Sequence, residues 1–497
     1  MLFLLSIIQI SHLTFAYPGS HDNVFTDVSL QLDTKWKLGL VGRNGRGKTT
    51  FLRLLQGQYP YQGKITTSQV DFEYFPYKVE NPALCCESIA YAISPEVPTW
   101  QIKKELSLLG MKEGILYRPY QILSPGERTK FLLAVLFCKP QCFLLIDEPT
   151  NHLDLQGRRL VSAYLKRKEG FILVSHDRAF LDACIDHVLS INRADIQVQK
   201  GNFSTWQLQK DQQDAEEAAH NQRLKKEIGR LADSARQTAQ WSHQIERRKY
   251  GVQSSGLKPD RGYLGHQAAK MMQRAKSIQA RQQKTIEEKS RLLKNMDAQP
   301  LISLSPLSHH AACLVEASNL ILSYGAEPVC GPIRLALHSG DRLALVGPNG
   351  SGKSTLLKCL AGQSIRHTGM LRLASGLSIS FLPQDVSGLH GSLSAYAQRH
   401  GLDETQFYTL LRKLGFSRSQ FEIRLEDFSM GQKKKTAMAH SLCQQAHLYL
   451  WDEPLNYIDV ISRLQIEDLI LRCRPTMIFV EHDASFLQNI ATDVLSF

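Results

Sequence analysis

Short apolar runs alternate with polar or glycine-rich stretches along most of the 497-residue chain. Residues 6–17, SIIQISHLTFAY, alternate in polarity as a β-strand does. The strand-like runs KLGLV and RLALV each precede a glycine-rich loop, and the helix-like runs TFLRLL and TLLKCL follow those loops. FLLI and LYLW are further apolar runs, and an acidic pair directly follows each of them. This order of strand, loop and helix predicts an α/β fold.

The pattern changes between residues 204 and 296. Two proline-free segments, 204–248 and 262–296, are rich in Gln, Ala, Lys, Arg and Glu and predict helices about 65 and 50 Å long, with Ser204 capping the first. Leu224, Ile228 and Leu231 are spaced for an antiparallel helical seam. The predicted organisation is an α/β domain at 1–202, a basic helical hairpin at 203–300 with its tip near 249–262, and a second α/β domain at 301–497.

The chain contains two copies of one motif set. GRNGRGKT, LSPGE, FLLIDEP and SHD recur as GPNGSGKS, FSMGQ, LYLWDEP and EHD. In the first copy, 82 residues separate the first glycine of the loop from the serine, 23 separate that serine from the aspartate, and 29 separate that aspartate from the histidine. The corresponding intervals in the second copy are 82, 23 and 30 residues. This agreement predicts a tandem repeat.

Charge, cysteine and hydropathy narrow the class of protein. Residues 221–294 hold 18 Lys or Arg against 6 Asp or Glu, so this segment carries the whole net charge of +12. The ten cysteines include no C-x-x-C pair and indicate free thiols in a reducing cytoplasm. No apolar run approaches the roughly 18 residues that span a bilayer. The opening MLFLLSIIQI lacks the basic region and cleavage site of a signal peptide, so the signal-peptide interpretation is disfavoured, and we expect the first five residues to be an extension or a misplaced start.

The two G-x-x-x-x-G-K-[ST] loops predict phosphate binding. Glycines let backbone N–H groups surround phosphate oxygens at a helix N-terminus, the lysine reaches the β- and γ-phosphates, and the hydroxyl that follows holds Mg²⁺. The candidates are Gly42, Asn44, Gly45, Gly47, Lys48, Thr49 and Thr50 in the first copy, and Gly347, Asn349, Gly350, Gly352, Lys353, Ser354 and Thr355 in the second. A glycine turn without a ligand is the alternative.

Acidic pairs and helix starts complete each copy. Asp147 and Asp452 would organise Mg²⁺, while Glu148 and Glu453 would act as general bases on water. The serine and glycine of LSPGE and FSMGQ would bind a γ-phosphate at a helix N-terminus. These candidates are Ser124, Gly126, Ser429 and Gly431.

Together these motifs resemble the ATP-binding cassette (ABC) ATPases over about four-fifths of the chain. The resemblance implies two cassettes that close head to tail around two ATP molecules. It assigns Gln384 to the Q-loop and to Mg²⁺, residues 151–154 and 456–459 to the D-loops, His176 and His482 to the γ-phosphate switch, and Tyr17 and Tyr324 to adenine stacking.

Several positions depart from that pattern. Tyr77 stands where the first Q-loop glutamine is expected, which puts Mg²⁺ or water coordination there in doubt. Pro125 and Met430 replace the second signature residue, and Gln432 replaces the acidic residue that Glu127 supplies in the first copy. We expect ATP hydrolysis with unequal activity at the two sites.

The basic hairpin between intact cassettes resembles the ABC-F proteins, and GYLGHQAAKMMQRAKSI and LYLWDEPLNYIDV are similar to their Lsa-type antibiotic-resistance branch. This resemblance implies a cytoplasmic monomer that binds the exit-site region of a drug-stalled bacterial 70S ribosome. The hairpin would pass the P-site tRNA and reach 23S rRNA, where it would dislodge lincosamide, pleuromutilin or streptogramin A drugs. The candidate tip contacts are Arg247, Arg248, Lys249, Tyr250, Leu257, Lys258, Arg261 and Tyr263.

Other functions remain open from sequence alone. A housekeeping ABC-F translation factor would have the same parts without drug specificity. The ATPase subunit of an exporter would need a membrane partner, which we do not expect, because the insert is a basic hairpin. DNA-repair ATPases usually insert their coiled coil within a cassette or carry zinc-binding cysteines. For the basic segment itself, the alternative is a solvated spacer whose charge keeps it soluble. Without a ribosomal partner it would need another one, such as DNA or a membrane complex.

Overall fold

A computed structural model of the chain describes residues 7–18, 23–67, 70–151, 153–191, 196–250, 273, 277, 280–281, 304–324 and 327–497. The chain divides into two compact units, one formed by Met1–Trp206 with Pro300–Phe497 and the other by Gln207–Gln299. The first unit holds both copies of the repeat. The ten cysteines are all free, four of them buried and six partly buried.

The first copy is built on a mostly parallel sheet. Its strands, in the order β5-β6-β7-β3-β8-β9, pair in parallel except for the antiparallel β8–β9 pair. The central strands are continuous apolar runs because helices or a second sheet cover both of their faces. The strands of this copy are β1 Ile7–Phe15, β2 Phe25–Asp33, β3 Lys37–Val41, β4 Gln62–Thr67, β5 Asp71–Phe75, β6 Cys142–Asp147, β7 Phe171–Val174, β8 His187–Ile191 and β9 Ile196–Lys200.

A small antiparallel sheet, β2-β1-β4, packs on the parallel one through a shared apolar cluster. β1 lies within the stretch whose alternation predicts a strand, and its inward residues Ile8, Ile10 and Leu13 are buried. The helices of this copy are α1 Lys48–Leu55, α2 Cys86–Ile93, α3 Thr99–Leu108, α4 Pro125–Leu136, α5 Leu155–Lys166 and α6 Arg178–Cys184.

The second copy repeats this architecture. A parallel sheet in the order β14-β15-β16-β12-β17 packs beside an antiparallel sheet in the order β11-β10-β13. Its strands are β10 Cys313–Tyr324, β11 Glu327–His338, β12 Arg342–Val346, β13 Arg366–Leu373, β14 Ile379–Leu382, β15 Leu448–Asp452, β16 Met477–Val480 and β17 Asp493–Ser496. Its helices are α8 Lys353–Leu360, α9 Leu393–Arg399, α10 Glu404–Lys413, α11 Met430–Cys443, α12 Val460–Cys473 and α13 Ala484–Ile490, after α7 of the central segment.

A single helix, α7, runs over Phe203–Tyr250. Its first turn belongs to the first copy, because Phe203 and Trp206 are buried in that copy's core. The prediction that Ser204 caps the helix was wrong: the Asn202 side chain accepts the Thr205 N–H at 3.0 Å, while the Ser204 N–H donates to Asp182. The predicted second hairpin helix lies almost entirely outside the described residues. In the part of the chain that the structure describes, no helix is both long enough and apolar enough to cross a membrane.

Candidate nucleotide-binding sites

The first glycine-rich loop, residues 42–48, joins β3 to α1 and lines a cavity of about 560 Å³. The facing wall comes from the second copy, where Ser429, Gly431 and Lys435 lie at the start of α11. The Asn44 side-chain amide donates to the Tyr457 carbonyl of the second copy at 2.9 Å. A ligand in this cavity would therefore contact both copies.

The second loop, residues 347–353, lines an equivalent cavity of about 650 Å³. Its facing wall comes from the first copy, with Ser124 and Gly126 at the start of α4 and Asp154 at the start of α5. The two cavities thus have the head-to-tail arrangement that the resemblance implies, each pairing one copy's loop with the other copy's signature residues.

Most of the candidate residues line one of the two cavities. The first is lined by Tyr17, Asn44, Gly45, Gly47, Lys48, Thr49, Thr50, Glu148, His176, Ser429 and Gly431. The second is lined by Ser124, Gly126, Asn349, Gly350, Gly352, Lys353, Ser354, Thr355, Gln384, Glu453 and His482. Gly42, Asp147, Gly347 and Asp452 are not among the lining residues. Tyr324 ends β10 with 56% of its surface exposed and does not line the second cavity.

The backbone conformation and the close neighbours of the last glycine in each loop explain why a glycine stands there. Gly47 and Gly352 have φ of 89° and 95°, in the left-handed region that favours glycine. A Cβ on Gly47 would lie 2.6 Å from Val24, and one on Gly352 would lie 2.6 Å from the Cys330 side chain. Any larger residue would be both strained and sterically blocked at these positions.

Each loop holds its lysine over its own carbonyls. Lys48 Nζ donates to Gly42 O at 2.7 Å, and Lys353 Nζ donates to Gly347 O at 2.9 Å. Burial lowers the pKa of both lysines, and neighbouring carboxylates oppose that shift. Each ammonium group is thus held by oxygen atoms of its own glycine-rich loop, a position that suits contact with a phosphate.

Both signature serines cap their helices. Ser124 Oγ accepts the Glu127 N–H at 3.3 Å, and Glu127 accepts the Ser124 N–H at 2.9 Å. Ser429 and Gln432 make the same reciprocal pair at 3.3 and 2.8 Å. The change from acid to amide at Gln432 therefore preserves the capping box, because an amide oxygen also accepts a hydrogen bond.

The two candidate general bases have different surroundings. Glu148 Oε1 lies 3.2 Å from His176 Nε2. Glu453 Oε2 accepts the Gln384 amide at 2.9 Å and the Asn456 amide at 2.5 Å, with His482 Nε2 lying 3.6 Å from Oε1. Either carboxylate can take a proton from water in its ionised form.

The pKa values of Glu148 and Glu453 are shifted in opposite directions. Burial, together with the charge of Asp147, raises the pKa of Glu148 to about 8. Burial alone would raise the pKa of Glu453, but interactions with His482 and Gln384 outweigh it and bring that pKa below its usual value. Burial and the Lys48 charge hold the pKa of His176 well below its usual value.

The oxygen groups of the second site fit Mg²⁺, which prefers hard oxygen ligands and is usually held by one or two carboxylates together with phosphate oxygens. Both carboxylate oxygens of Asp452 are buried and accept no hydrogen bond among the described residues. Unpaired buried carboxylate oxygens are what a cation would satisfy. With Mg²⁺ and ATP bound, the ion would neutralise charge on the phosphates, held from the protein side by Ser354, Gln384 and Asp452.

The first site is built differently. Asp147 Oδ2 accepts the Tyr74 hydroxyl at 2.7 Å and the Thr49 hydroxyl at 3.1 Å. Tyr77, at the Q-loop position, packs against the core of the first copy. Sequence reasoning missed Tyr74, because only the pairing of β5 with β6 brings this strand residue beside Asp147.

Two lysines after the second signature were also missed. Lys435 lines the first cavity and binds Asp459 at 2.8 Å, and Lys434 is buried behind the second site. The run KKK in the second copy, against RTK in the first, was the available signal.

The tip candidates are only partly described. Arg247, Arg248, Lys249 and Tyr250 lie in the last turn of α7, so the helix extends into the region predicted as the tip. Leu257, Lys258, Arg261 and Tyr263 lie outside the described residues, as does His152 of the first D-loop.

The fold and the two composite cavities define a tandem P-loop nucleotide hydrolase. The ABC transporter family model matches residues 25–151 and 330–456. The chain therefore belongs to the ABC family, and it is an ATPase that converts ATP to ADP and phosphate.

Known proteins are similar in sequence to this chain over nearly its whole length. It is 27% identical over 487 residues to the ribosome protection protein VmlR of Bacillus subtilis (strain 168), covering 97% of this chain and 85% of that protein. It is 27% identical over 502 residues to the probable ATP-binding protein YheS of Escherichia coli (strain K12), covering 92% and 74%. The archaeal ribosome recycling factor aABCE1, solved with ribosomal stalk protein aP1, shares the fold with a TM-score of 0.59, 19% identity and coverage of 98% and 87%.

Proposed function

We propose that this chain is an ABC-F ATPase that acts on the bacterial 70S ribosome and protects it from antibiotics. One observation carries the proposal: a single chain combines two composite ATP cavities with a long helix that is anchored in one of the two copies and continues into the basic segment. ATP and Mg²⁺ would be its cofactors, and the two copies would pair within one monomer. We expect the protein to act in the cytoplasm.

ATP supplies the movement in this proposal. Each cavity takes one wall from each copy, so bound ATP stabilises their contact and hydrolysis releases it. Glu148 and Glu453 would activate water, and His176 and His482 would contact the γ-phosphate. Because Phe203 and Trp206 are buried in the first copy's core, a shift of that copy carries the start of α7 with it.

The charge of the central segment identifies the class of partner. Residues 221–294 carry a net charge of +12 while the rest of the chain is neutral. A segment of this kind binds phosphate backbones and releases counterions as it does so. RNA offers the deep, shaped surfaces that a helical hairpin can enter. The relative named as a ribosome protection protein matches along almost the full length of the chain, which supports a ribosomal RNA partner.

The drug site is the expected destination of the hairpin. The hairpin would enter at the tRNA exit site, pass the P-site tRNA and bring its tip to 23S rRNA. Arg247, Arg248 and Lys249 would contact phosphates, and Tyr250 and Tyr263 would stack on bases. Lincosamide, pleuromutilin or streptogramin A drugs would then be displaced, directly or through the rRNA around them. A housekeeping ABC-F factor that relieves stalled ribosomes is the second candidate, because YheS, of no stated drug role, matches nearly as well.

Sedimentation with purified bacterial 70S ribosomes tests the partner. The double variant E148Q/E453Q should stay closed on ATP and pellet with ribosomes in ATP but not in ADP. The matched control, K48A/K353A, should not pellet in either nucleotide, because neither loop would hold phosphate. Absence of co-sedimentation by an E148Q/E453Q protein that is shown to bind ATP would overturn the ribosomal assignment.

A further inference from the structure

Lys434 lies on α11 five residues after the signature serine, and only 1% of its surface is exposed. Its Nζ donates to three backbone carbonyls, those of Pro383 at 2.9 Å, Asp452 at 3.1 Å and Gln384 at 3.5 Å. These acceptors come from two other elements, the Q-loop (residues 383–385) and the end of β15. One side chain therefore joins three elements of the second copy.

The joined elements carry the chemistry of the second ATP site. Gln384 donates to the candidate base Glu453, and Asp452 is the candidate Mg²⁺ ligand. Burying an ammonium group costs free energy unless hydrogen bonds and opposite charges offset the loss of water. The three carbonyls and the nearby charges of Asp452 and Glu481 offset it for Lys434 and so fix its position. A displacement of α11 would displace the Q-loop and the end of β15 with it.

The neighbouring residue faces the other site. Lys435 lines the first cavity, and its Nζ donates to Leu414 O and Asp459 Oδ2, both at 2.8 Å. Asp459 in turn lies close enough to Lys48 of the first P-loop to oppose the effect of burial on the Lys48 pKa. Two consecutive lysines on one helical turn thus connect the first P-loop, α11 and the second catalytic centre.

The first copy lacks the corresponding side chain. Thr129 occupies the position of Lys434 and is buried, and Lys130 occupies the position of Lys435 and lines the second cavity. A threonine is too short to span from α4 to the facing loop. The connection therefore runs from the first site to the second and is not repeated in reverse.

We propose that Lys434 is a positioning residue that transmits ATP occupancy of the first site to the catalytic geometry of the second site. When ATP draws the start of α11 onto the first P-loop, Lys434 sets the Q-loop and the Asp452 backbone. The second site then reaches its hydrolytic geometry more readily when the first site is filled. A double-mutant cycle measures this coupling directly.

The cycle is measured on the full chain without ribosomes, so its outcome is independent of the proposed partner. All proteins carry E148Q, so that the phosphate released in the first turnover comes from the second site. Rapid quench measures that phosphate. K48A, which empties the first site, should slow that turnover about tenfold, within the range of allosteric coupling. K434M should slow it similarly, and the K48A/K434M pair should be no slower than either variant alone.

Controls separate positioning from misfolding. K433M removes the neighbouring, partly exposed lysine and should leave the rate unchanged. K434Q retains an N–H donor and should give an intermediate rate, and both Lys434 variants should bind ATP at the second site with unchanged affinity. Additive slowing by K48A and K434M, or a normal rate in a folded K434M protein, would overturn the proposal.

Discussion

Tyr74 gives the first ATP site a hydrogen bond that has no counterpart at the matching position of the second site, where Phe381 stands. Removing it with Y74F should leave Asp147 less firmly oriented. A hydrogen bond to a charged group contributes about 1.5–3 kcal/mol, so apparent Mg²⁺ affinity at the first site should fall about tenfold. The measurement is Mg²⁺-dependent hydrolysis in an E453Q background. Y77F is the matched control, and an equal effect in both variants would contradict the assignment.

The two candidate bases should also differ in their response to pH. With the pKa of Glu148 raised to about 8, its carboxylate is mostly protonated below that pH and cannot accept a proton. First-site turnover, measured in E453Q, should rise with pH and level off above about 8. Second-site turnover, measured in E148Q, should be flat from about pH 6 upward, because the pKa of Glu453 is lowered. Identical profiles would show that the two environments do not control the chemistry.

The helix α7 is held in the first copy by its first turn. Phe203 is 1% and Trp206 is 8% exposed within the first copy's core. F203A and W206A should each lower the free energy of unfolding by about 3–5 kcal/mol, as other large core truncations do. L208A, at a site 64% exposed on the same helix, should change it by less than about 0.5 kcal/mol. Urea unfolding followed by circular dichroism measures all three, and equal losses would show that the first turn is not an anchor.

Elements set by local sequence were predictable, and long-range side-chain contacts were not. The strand at Lys37–Val41 and the capped helix starting at Pro125 follow from short patterns, because apolar runs and capping residues act within a few positions. The contact of Lys434 with Pro383 spans 51 residues and depends on how α11 packs against β14. The cap at Asn202 was missed because Ser204 is an equally good capping residue by type.

An ion pair links the two copies of the repeat. Arg178, after β7, lies 2.5 Å from Glu467 on α12, and Asn489 also donates to Glu467 at 2.5 Å. The position matching Arg178 in the second copy is Ala484, so this contact is not duplicated by the repeat. It spans 289 residues and no local pattern indicates it.

R178A should therefore weaken closure of the two copies. Removing one partner of a buried pair costs about 3–5 kcal/mol because it leaves the other charge unpaired. The ATP concentration needed to close E148Q/E453Q, followed by fluorescence transfer between labels on the two copies, should rise at least about tenfold. The charge-reversed pair R178E/E467R should restore much of the closure. If R178A closes normally, the pair does not stabilise the ATP-bound arrangement.

Cell-free translation on bacterial ribosomes, stopped by a lincosamide, a pleuromutilin or a streptogramin A, measures ribosome protection itself. Added wild-type protein with ATP should restore synthesis against at least one of these drugs and not against an inhibitor of the small subunit. K48A/K353A should restore nothing, and R247A/R248A/K249A should lose protection while keeping ATP hydrolysis. A wild-type protein that hydrolyses ATP and binds ribosomes but restores synthesis against none of the three drugs would contradict protection and leave the housekeeping function in its place.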